Sequence, residues 1–145
     1  IIRFCIKYIW DVFMQRRNLM FKSARIDEIH VVFENCEHIE IPYKDVRYIH
    51  LDGISESIWD NNVSNADEFD LSFQKNAKYL RLMIKDKPEY KRIKEHYDIT
   101  WIEFLRYGEV IERIAIQWVG DNEDINLGQT VKEENGEIDI MVSPN

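Results

Sequence analysis

Residues 98–118 read DITWIEFLRYGEVIERIAIQW, and this stretch decides the fold class. Apolar and polar side chains alternate on both sides of a short polar turn, a pattern typical of two antiparallel strands joined as a β-hairpin. The pattern predicts strands at Ile99 to Leu105 and Val110 to Val119, with a loop at 107–109.

A three-residue loop sets the register of this hairpin. It places Ile102 opposite Ile114 and Glu103 opposite Arg113. An apolar pair and an ion pair directly across two strands both stabilise a sheet, so this register is favoured.

A second hairpin is predicted nearer the start of the chain. If residues 35–37 form its loop, Phe33 lies opposite Ile39 and Val31 lies opposite Ile41, with the apolar residues on one face. Proline has no backbone N–H to donate, so Pro42 marks a strand end or a sheet edge.

Further strands follow the same alternation. Residues 46–51 predict a single strand, and residues 71–75 and 78–85 predict a hairpin around Asn76-Ala77. Asn135-Gly136 predicts a final tight hairpin that ends near residue 142.

Two segments do not alternate. Residues 55–70 are polar and indicate a loop, with or without one helical turn. Lys87 to Tyr97 is the predicted helix, because Pro88 suits its first turn and the apolar residues that follow have helical spacing.

These elements predict an α+β fold made mainly of antiparallel β-hairpins, as a meander or a small barrel or sandwich, with one short helix. Residues 20–145 form the single predicted domain. Residues 1–19 are interpreted either as an N-terminal helix or as translated leader before a start at Met20. The apolar residues 1–14 include Arg3, Lys7 and Asp11, so we expect no membrane span.

The charge balance bears on partners and location. The 145 residues include 19 Lys and Arg against 27 Asp and Glu, a net charge of −8. A negative surface repels phosphate, so direct nucleic-acid binding is not expected. Two cysteines, Cys5 and Cys36, do not make a disulfide framework, which favours a reducing cytoplasm.

No residue pattern indicates an enzyme or a cofactor site. His30, Glu34, Cys36 and His38 lie around one hairpin, but they make only half of a zinc motif, and we predict no metal. The serines lack a Gly-x-Ser-x-Gly turn and the glycines are scattered singly. The acidic loop at 121–124 lacks the glycine and distal glutamate of a calcium-binding loop.

Partner binding is assigned to one tryptophan and to two acidic segments. Trp59 lies in a polar stretch, where it is either an exposed residue for protein binding or a side chain docked under the sheet. The predicted partner-binding residues are Trp59, Asp60, Asp67, Glu68, Asp70, Asp121, Glu123 and Asp124.

The stretch at 98–118, together with the Asn135-Gly136 turn, resembles small uncharacterised proteins of phages and prophages of Gram-positive bacteria. The resemblance covers residues 88–142, implies a phage context and supplies no catalytic residues. The predicted function is an acidic module that binds a basic surface of a host protein. It would inhibit a nucleic-acid-handling or defence system in the bacterial cytoplasm, as anti-CRISPR proteins do. The alternative is a phage structural component that self-associates through hairpin edges, and a homodimer stays open.

Overall fold

In a computed structural model of the chain, most of the described residues lie in antiparallel strands. The structure describes residues 23–52, 56–60, 69–72, 79–95, 98–116 and 129–142. The strands among these residues are β1 (Ser23–Ile26), β2 (Glu28–Phe33), β3 (His38–Pro42), β4 (Val46–Asp52), β5 (Glu56–Asp60), β6 (Phe69–Ser72), β7 (Tyr79–Lys85), β8 (Ile99–Arg106), β9 (Glu109–Ala115), β10 (Gln129–Glu134) and β11 (Glu137–Val142).

The strands form three antiparallel sheets. A five-stranded sheet has the order β10-β11-β7-β4-β5, a four-stranded sheet has the order β3-β2-β8-β9, and β1 pairs with β6. The helical part of the described residues consists of the 3-10 turns Tyr43–Asp45 and Pro88–Tyr90 and one short helix, α1 (Lys91–Glu95). The expected mainly antiparallel α+β character is therefore confirmed at this level. The interpretations of residues 1–19 concern a segment outside the described residues.

One apolar core joins the elements. Buried residues alternate with less buried ones along β7 and most of β4, because successive strand side chains point to opposite faces, whereas β2, β8 and β11 also contain runs of three or four consecutive buried residues. This alternation is clearest in β7, where Leu80, Leu82 and Ile84 are fully buried between less buried neighbours. Tyr90 and Ile93 from the helical segment pack into the same cluster.

The β8–β9 hairpin confirms the predicted cross-strand pairs. Ile102 lies opposite Ile114, and Glu103 lies opposite Arg113. The turn has two residues rather than three, because β9 already begins at Glu109, and an irregularity between Phe104 and Leu105 absorbs the extra residue.

The β2–β3 hairpin has a different register from the predicted one. Val31 lies opposite Ile39, and the loop is centred on Asn35 rather than on Cys36. The Phe33 N–H donates to the Glu37 carbonyl at 2.9 Å, and Cys36 takes a left-handed φ of 73°. A shift of two residues keeps the same side chains on each face, so hydrophobic alternation alone could not distinguish the two registers.

Two predictions for the middle of the chain are wrong. Within the expected loop at 55–70, Glu56–Asp60 forms β5 beside β4, and Phe69 begins β6. The expected hairpin between 71–75 and 78–85 is replaced by other pairings, because β6 pairs with β1 while β7 lies between β4 and β11. Short alternating segments predict strands but not their partners.

Within the predicted helix at Lys87 to Tyr97, the structure has a 3-10 turn that begins at Pro88 followed by α1 at Lys91–Glu95, and residues 96 and 97 lie outside the described residues. Arg92 attaches it to the β2–β3 loop by an ion pair with Glu37, and its guanidinium lies 4.1 Å from the centre of the Phe33 ring. None of the helices among the described residues has the length and apolarity needed to cross a lipid bilayer.

Candidate functional site

The five-stranded sheet has one apolar face in the core and one face of mixed character. On β4, Ile49 and Leu51 point into the core while Tyr48 and His50 point the other way. The same alternation on the neighbouring strands builds a surface that we call the aromatic face. It consists of Tyr48, His50, Ile58, Tyr79, Arg81, Met83 and Met141.

Strand register places these residues in rows across the sheet. His50 lies opposite Ile58 of β5 on one side and opposite Arg81 of β7 on the other. Arg81 in turn lies opposite Met141 of β11. One row therefore crosses four strands with an apolar residue at each end.

Ring contacts connect this row with its neighbours. The His50 ring lies 5.5 Å from the Tyr79 ring and 6.4 Å from the Tyr48 ring, edge-on in both cases. The Arg81 guanidinium lies 5.7 Å from the centre of the Tyr48 ring. Edge-on ring pairs and a cation near an aromatic ring are both favourable arrangements, so these contacts stabilise the side-chain positions on the face.

A bidentate ion pair fixes Arg81. Its Nε donates to Asp139 Oδ1 at 3.0 Å and its Nη2 donates to Asp139 Oδ2 at 2.7 Å. The hydrogen bonds to Asp139 raise the pKa of Arg81, and burial raises the pKa of Tyr79. Arg81 is therefore a charged group held in one place, whereas Tyr79 keeps its hydroxyl proton.

Ile58 is the apolar residue of this face that is most open to solvent, with 53% of its surface exposed. It lies on β5, an edge strand of the sheet. Among the described residues, the other large apolar side chain with such exposure is Tyr107, at 78%, in the β8–β9 turn.

Carboxylates surround the aromatic face. Asp60 lies opposite Tyr48, and Asp52 lies opposite Tyr79. Near the far edge of the sheet, Glu137 pairs with a residue of β10 on one side and with Lys85 on the other. An apolar and aromatic centre with a charged rim is the usual anatomy of a protein-binding surface.

The predicted partner-binding residues have different outcomes. Trp59 is 6% exposed and belongs to the core, which was the docked alternative. Asp60 is half-buried on the aromatic face. Asp70 lies in β6 opposite Arg25. The other predicted positions, Asp67, Glu68, Asp121, Glu123 and Asp124, lie outside the described residues.

A second polar cluster lies on the four-stranded sheet. His30 of β2 is directly opposite Glu40 of β3, and its ring stacks on that of His38 with centres 4.7 Å apart. His30 Nε2 contacts Glu28 Oε1 at 2.5 Å, and His38 Nε2 lies 3.4 Å from Glu40 Oε1.

This cluster differs from the one considered from sequence. Glu34 is exposed in the turn, and Cys36 is disulfide-bonded rather than a free thiol, so neither joins the two histidines. The disulfide at Cys36 also contradicts the expectation that the cysteines are reduced. The corrected register brings in Glu40 instead, a residue that the sequence pattern did not single out.

Glu112 is a buried carboxyl that sequence reasoning missed. It lies on β9 opposite Phe104 and is 4% exposed. Its Oε1 accepts the backbone N–H of Arg113 at 2.9 Å, whereas Oε2 meets no hydrogen-bond donor among the described residues. Burial raises the pKa of Glu112 to about 7, against the smaller opposite effect of that backbone bond. The sequence did contain one signal for this burial. Glu112 lies two residues before the inward-pointing Ile114, and residues two apart on a strand face the same side.

An open cleft of about 590 Å³ lies beside α1. Its charged side chains are engaged with each other, since Lys94 bonds Asp86 at 3.0 Å and lies 3.5 Å from Glu133. Lys91 likewise pairs with Glu95 at 3.3 Å. The cleft is lined by Asp86, Lys87, Pro88, Lys91, Lys94, Glu95 and Glu133.

Comparison of the chain with protein-family models, curated proteins and solved structures finds no match.

Proposed function

We propose that the chain is a non-catalytic protein-binding module whose aromatic face binds a basic surface of another protein. The observation that carries this proposal is the ordered row Ile58, His50, Arg81 and Met141 across four strands. Tyrosine, arginine and methionine are enriched at protein interfaces, and a rigid sheet presents them at little cost in conformational entropy.

Charge supports the choice of a basic partner. The chain carries a net charge of −8, and Asp52, Asp60 and Glu137 lie around the aromatic face. A negative rim accelerates association with a positive surface and disfavours acidic partners.

The specific form of the proposal is a phage accessory protein that acts on a bacterial host. It would occupy the basic groove of a nucleic-acid-handling or defence protein, in the manner of an anti-CRISPR protein. Support for this form comes from the acidic charge, from the aromatic face and from the resemblance over residues 88–142. We further propose that the two larger sheets pack as a sandwich, since their inward residues belong to one core cluster.

The experiment is affinity capture from a Gram-positive lysate with the tagged chain. The Tyr48→Ala/Ile58→Thr double variant removes two contacts of the aromatic face. Tyr107→Ala is the matched control, because Tyr107 is an exposed aromatic residue in a turn of the other large sheet.

Capture of a basic nucleic-acid-binding protein by the wild type and the control, but not by the double variant, is the expected result. A nucleic-acid fragment should compete, and high salt should weaken the complex. Equal capture by the double variant overturns the assignment of the face, and failure of nucleic acid to compete overturns the groove-binding form.

The alternative function is a phage assembly component that self-associates through sheet edges. The exposed Ile58 on the edge strand β5 favours it. The edge strand β10 opposes it, because Lys132, Glu133 and Glu134 are exposed there and charged edges resist pairing. Sedimentation over a range of concentrations distinguishes the two, since an assembly component should form particles or long oligomers.

A further inference from the structure

The outer side of the β2–β3 hairpin brings together two imidazoles and a carboxylate. His30 and Glu40 occupy directly opposed positions, and His38 lies two residues from Glu40 on the same strand. Because strand side chains repeat every second residue, all three project from the same face of the sheet.

The distances suit a shared metal ion. One candidate ligand atom from each of His30, His38 and Glu40 lies within 4.8 Å of the other two. Bonds of about 2.0–2.2 Å around a tetrahedral ion require ligand atoms about 3.5 Å apart. The His30 and His38 rings stack with centres 4.7 Å apart, so their in-plane lone pairs run side by side. Binding therefore requires rotation of the His38 ring as well as a contraction of about 1 Å, and the exposure of His38 and Glu40 permits this movement.

Glu28 supports the arrangement from the other side of His30. Its Oε1 lies 2.5 Å from Nε2 of His30, which is the contact expected when that nitrogen carries the proton. The other ring nitrogen, Nδ1, then holds the lone pair that a metal needs. A carboxylate that orients a ligating histidine in this way also strengthens it as a donor.

The donor set selects the class of metal. Two imidazoles favour borderline ions such as Zn²⁺, Ni²⁺ and Cu²⁺, whereas Ca²⁺ and Mg²⁺ require mainly oxygen ligands. Glu28 and Glu40 supply two negative charges close to the ion.

We propose that His30, His38 and Glu40 bind one divalent transition-metal ion of the zinc class, with Glu28 as the positioning residue for His30. Three protein ligands leave a coordination position open to solvent on the exposed side of the hairpin. The bound ion also fastens the edge strand β3 to β2. This site is independent of the aromatic face, which lies on the other large sheet.

The test is calorimetric titration of the full chain with Zn²⁺, followed by thermal unfolding with and without the ion. We expect one Zn²⁺ per chain and a rise in the unfolding temperature. His38→Gln and Glu40→Gln should each weaken binding at least tenfold and abolish the rise, and Glu28→Gln should weaken binding by roughly tenfold. Both ligand variants change exposed side chains, and a cooperative unfolding transition of each variant without the ion shows that it is folded.

The matched controls are His50→Gln and His96→Gln, which remove the two histidines outside the cluster. We expect both to bind Zn²⁺ like the wild type. Absence of Zn²⁺ binding by the wild type overturns the proposal. The proposal is also overturned if the affinity for Zn²⁺ falls in either control variant but is unchanged in His38→Gln. Neither result bears on capture of a protein partner by the aromatic face.

Discussion

Glu103 and Arg113 lie directly opposite each other on β8 and β9, and they form an ion pair with only 1% and 4% of their side chains exposed. Arg113 Nε donates to Glu103 Oε2 at 2.7 Å, and its guanidinium lies 5.1 Å from the Trp101 ring centre. Desolvation of both charges offsets much of their attraction, but loss of one partner leaves the other charge buried and uncompensated.

Arg113→Met should therefore destabilise the protein by about 3–5 kcal/mol, because it leaves the Glu103 carboxylate buried without its guanidinium partner. The double variant Glu103→Gln/Arg113→Met should lose less stability than the single one. Urea unfolding of the four corners of this cycle measures the difference. A single-variant loss below about 1 kcal/mol would contradict the importance of the pair.

Glu112 predicts a stability that falls as pH rises. Burial raises its pKa in the folded chain to about 7, above the ordinary value of 4.5, so the folded state holds the proton more tightly than the unfolded state. The stabilising contribution of Glu112 is complete at pH values below its unfolded-state pKa and is lost as pH rises through its folded-state pKa. The loss relative to Glu112→Gln approaches about 3 kcal/mol.

Urea unfolding of the wild type and Glu112→Gln at several pH values, from about 4 to about 8, checks this prediction. Glu109→Gln on the same strand is the control, because Glu109 is exposed. The gap between wild type and Glu112→Gln should widen in favour of the variant as pH rises, and a constant gap would contradict the raised pKa.

The β8–β9 turn predicts a stabilising substitution. Tyr107 and Gly108 have left-handed φ values of 50° and 77°, which suit asparagine and glycine. Tyr107→Asn should stabilise the chain by about 0.5–1 kcal/mol, partly offset by loss of the Arg106 contact to the Tyr107 ring.

Gly108→Ala should act in the opposite direction and cost about 1–2 kcal/mol. A Cβ at this position would meet open space, so the strain arises in the backbone and not from a clash. Thermal unfolding of the two turn variants measures the opposite signs, and a neutral Gly108→Ala would contradict the left-handed conformation.

The two tight turns show what sequence patterns determine. The Asn135-Gly136 pair predicts a tight hairpin turn, and its φ values of 53° and 76° confirm the geometry. Tyr107 carries no such signal, so the pattern there predicts three loop residues where the structure has two. The Ile102 and Ile114 pair was still predictable, because alternation constrains pairing in the strands more strongly than it constrains the loop.

Pairing between distant strands could not be predicted. β7 lies between β4 and β11, which are separated from it in sequence by long segments, and nothing local specifies either neighbour. The aromatic face depends on this order, since Arg81 meets His50 and Met141 only through it. Asp60 could be identified from the sequence by its charge. The row of residues beside it could not, because that row depends on which strands are neighbours in the sheet.

The polar cluster on the four-stranded sheet was missed for a smaller reason. Hydrophobic alternation predicts the β2–β3 hairpin two residues away from its actual register, and the shift moves Glu40 opposite His30. The histidines themselves were noted from sequence, but the third ligand of the proposed site depends on the exact loop.

Tyr90 and Asp45 form a buried hydrogen bond whose contribution to stability depends on pH. The Tyr90 hydroxyl donates to Asp45 Oδ2 at 2.5 Å, and Lys87 Nζ contacts the same oxygen at 2.9 Å. Burial opposes ionisation of Asp45, but these two bonds outweigh it and hold the pKa of Asp45 below its ordinary value. Burial and the bond to Asp45 raise the pKa of Tyr90, so its hydroxyl stays protonated as the donor.

Tyr90→Phe should cost about 1–3 kcal/mol at neutral pH, because the ionised Asp45 loses a buried hydrogen bond. Asp45 has a lowered folded-state pKa, so its contribution is present above the unfolded value and is lost as pH falls through the folded value. The difference between wild type and Tyr90→Phe should therefore shrink in acid below about pH 4. Urea unfolding at neutral and acid pH measures it, with Tyr43→Phe as the control that removes the hydroxyl of another, half-buried tyrosine. A difference that stays the same in acid would show that Tyr90 stabilises the core by packing and not through the Asp45 carboxylate.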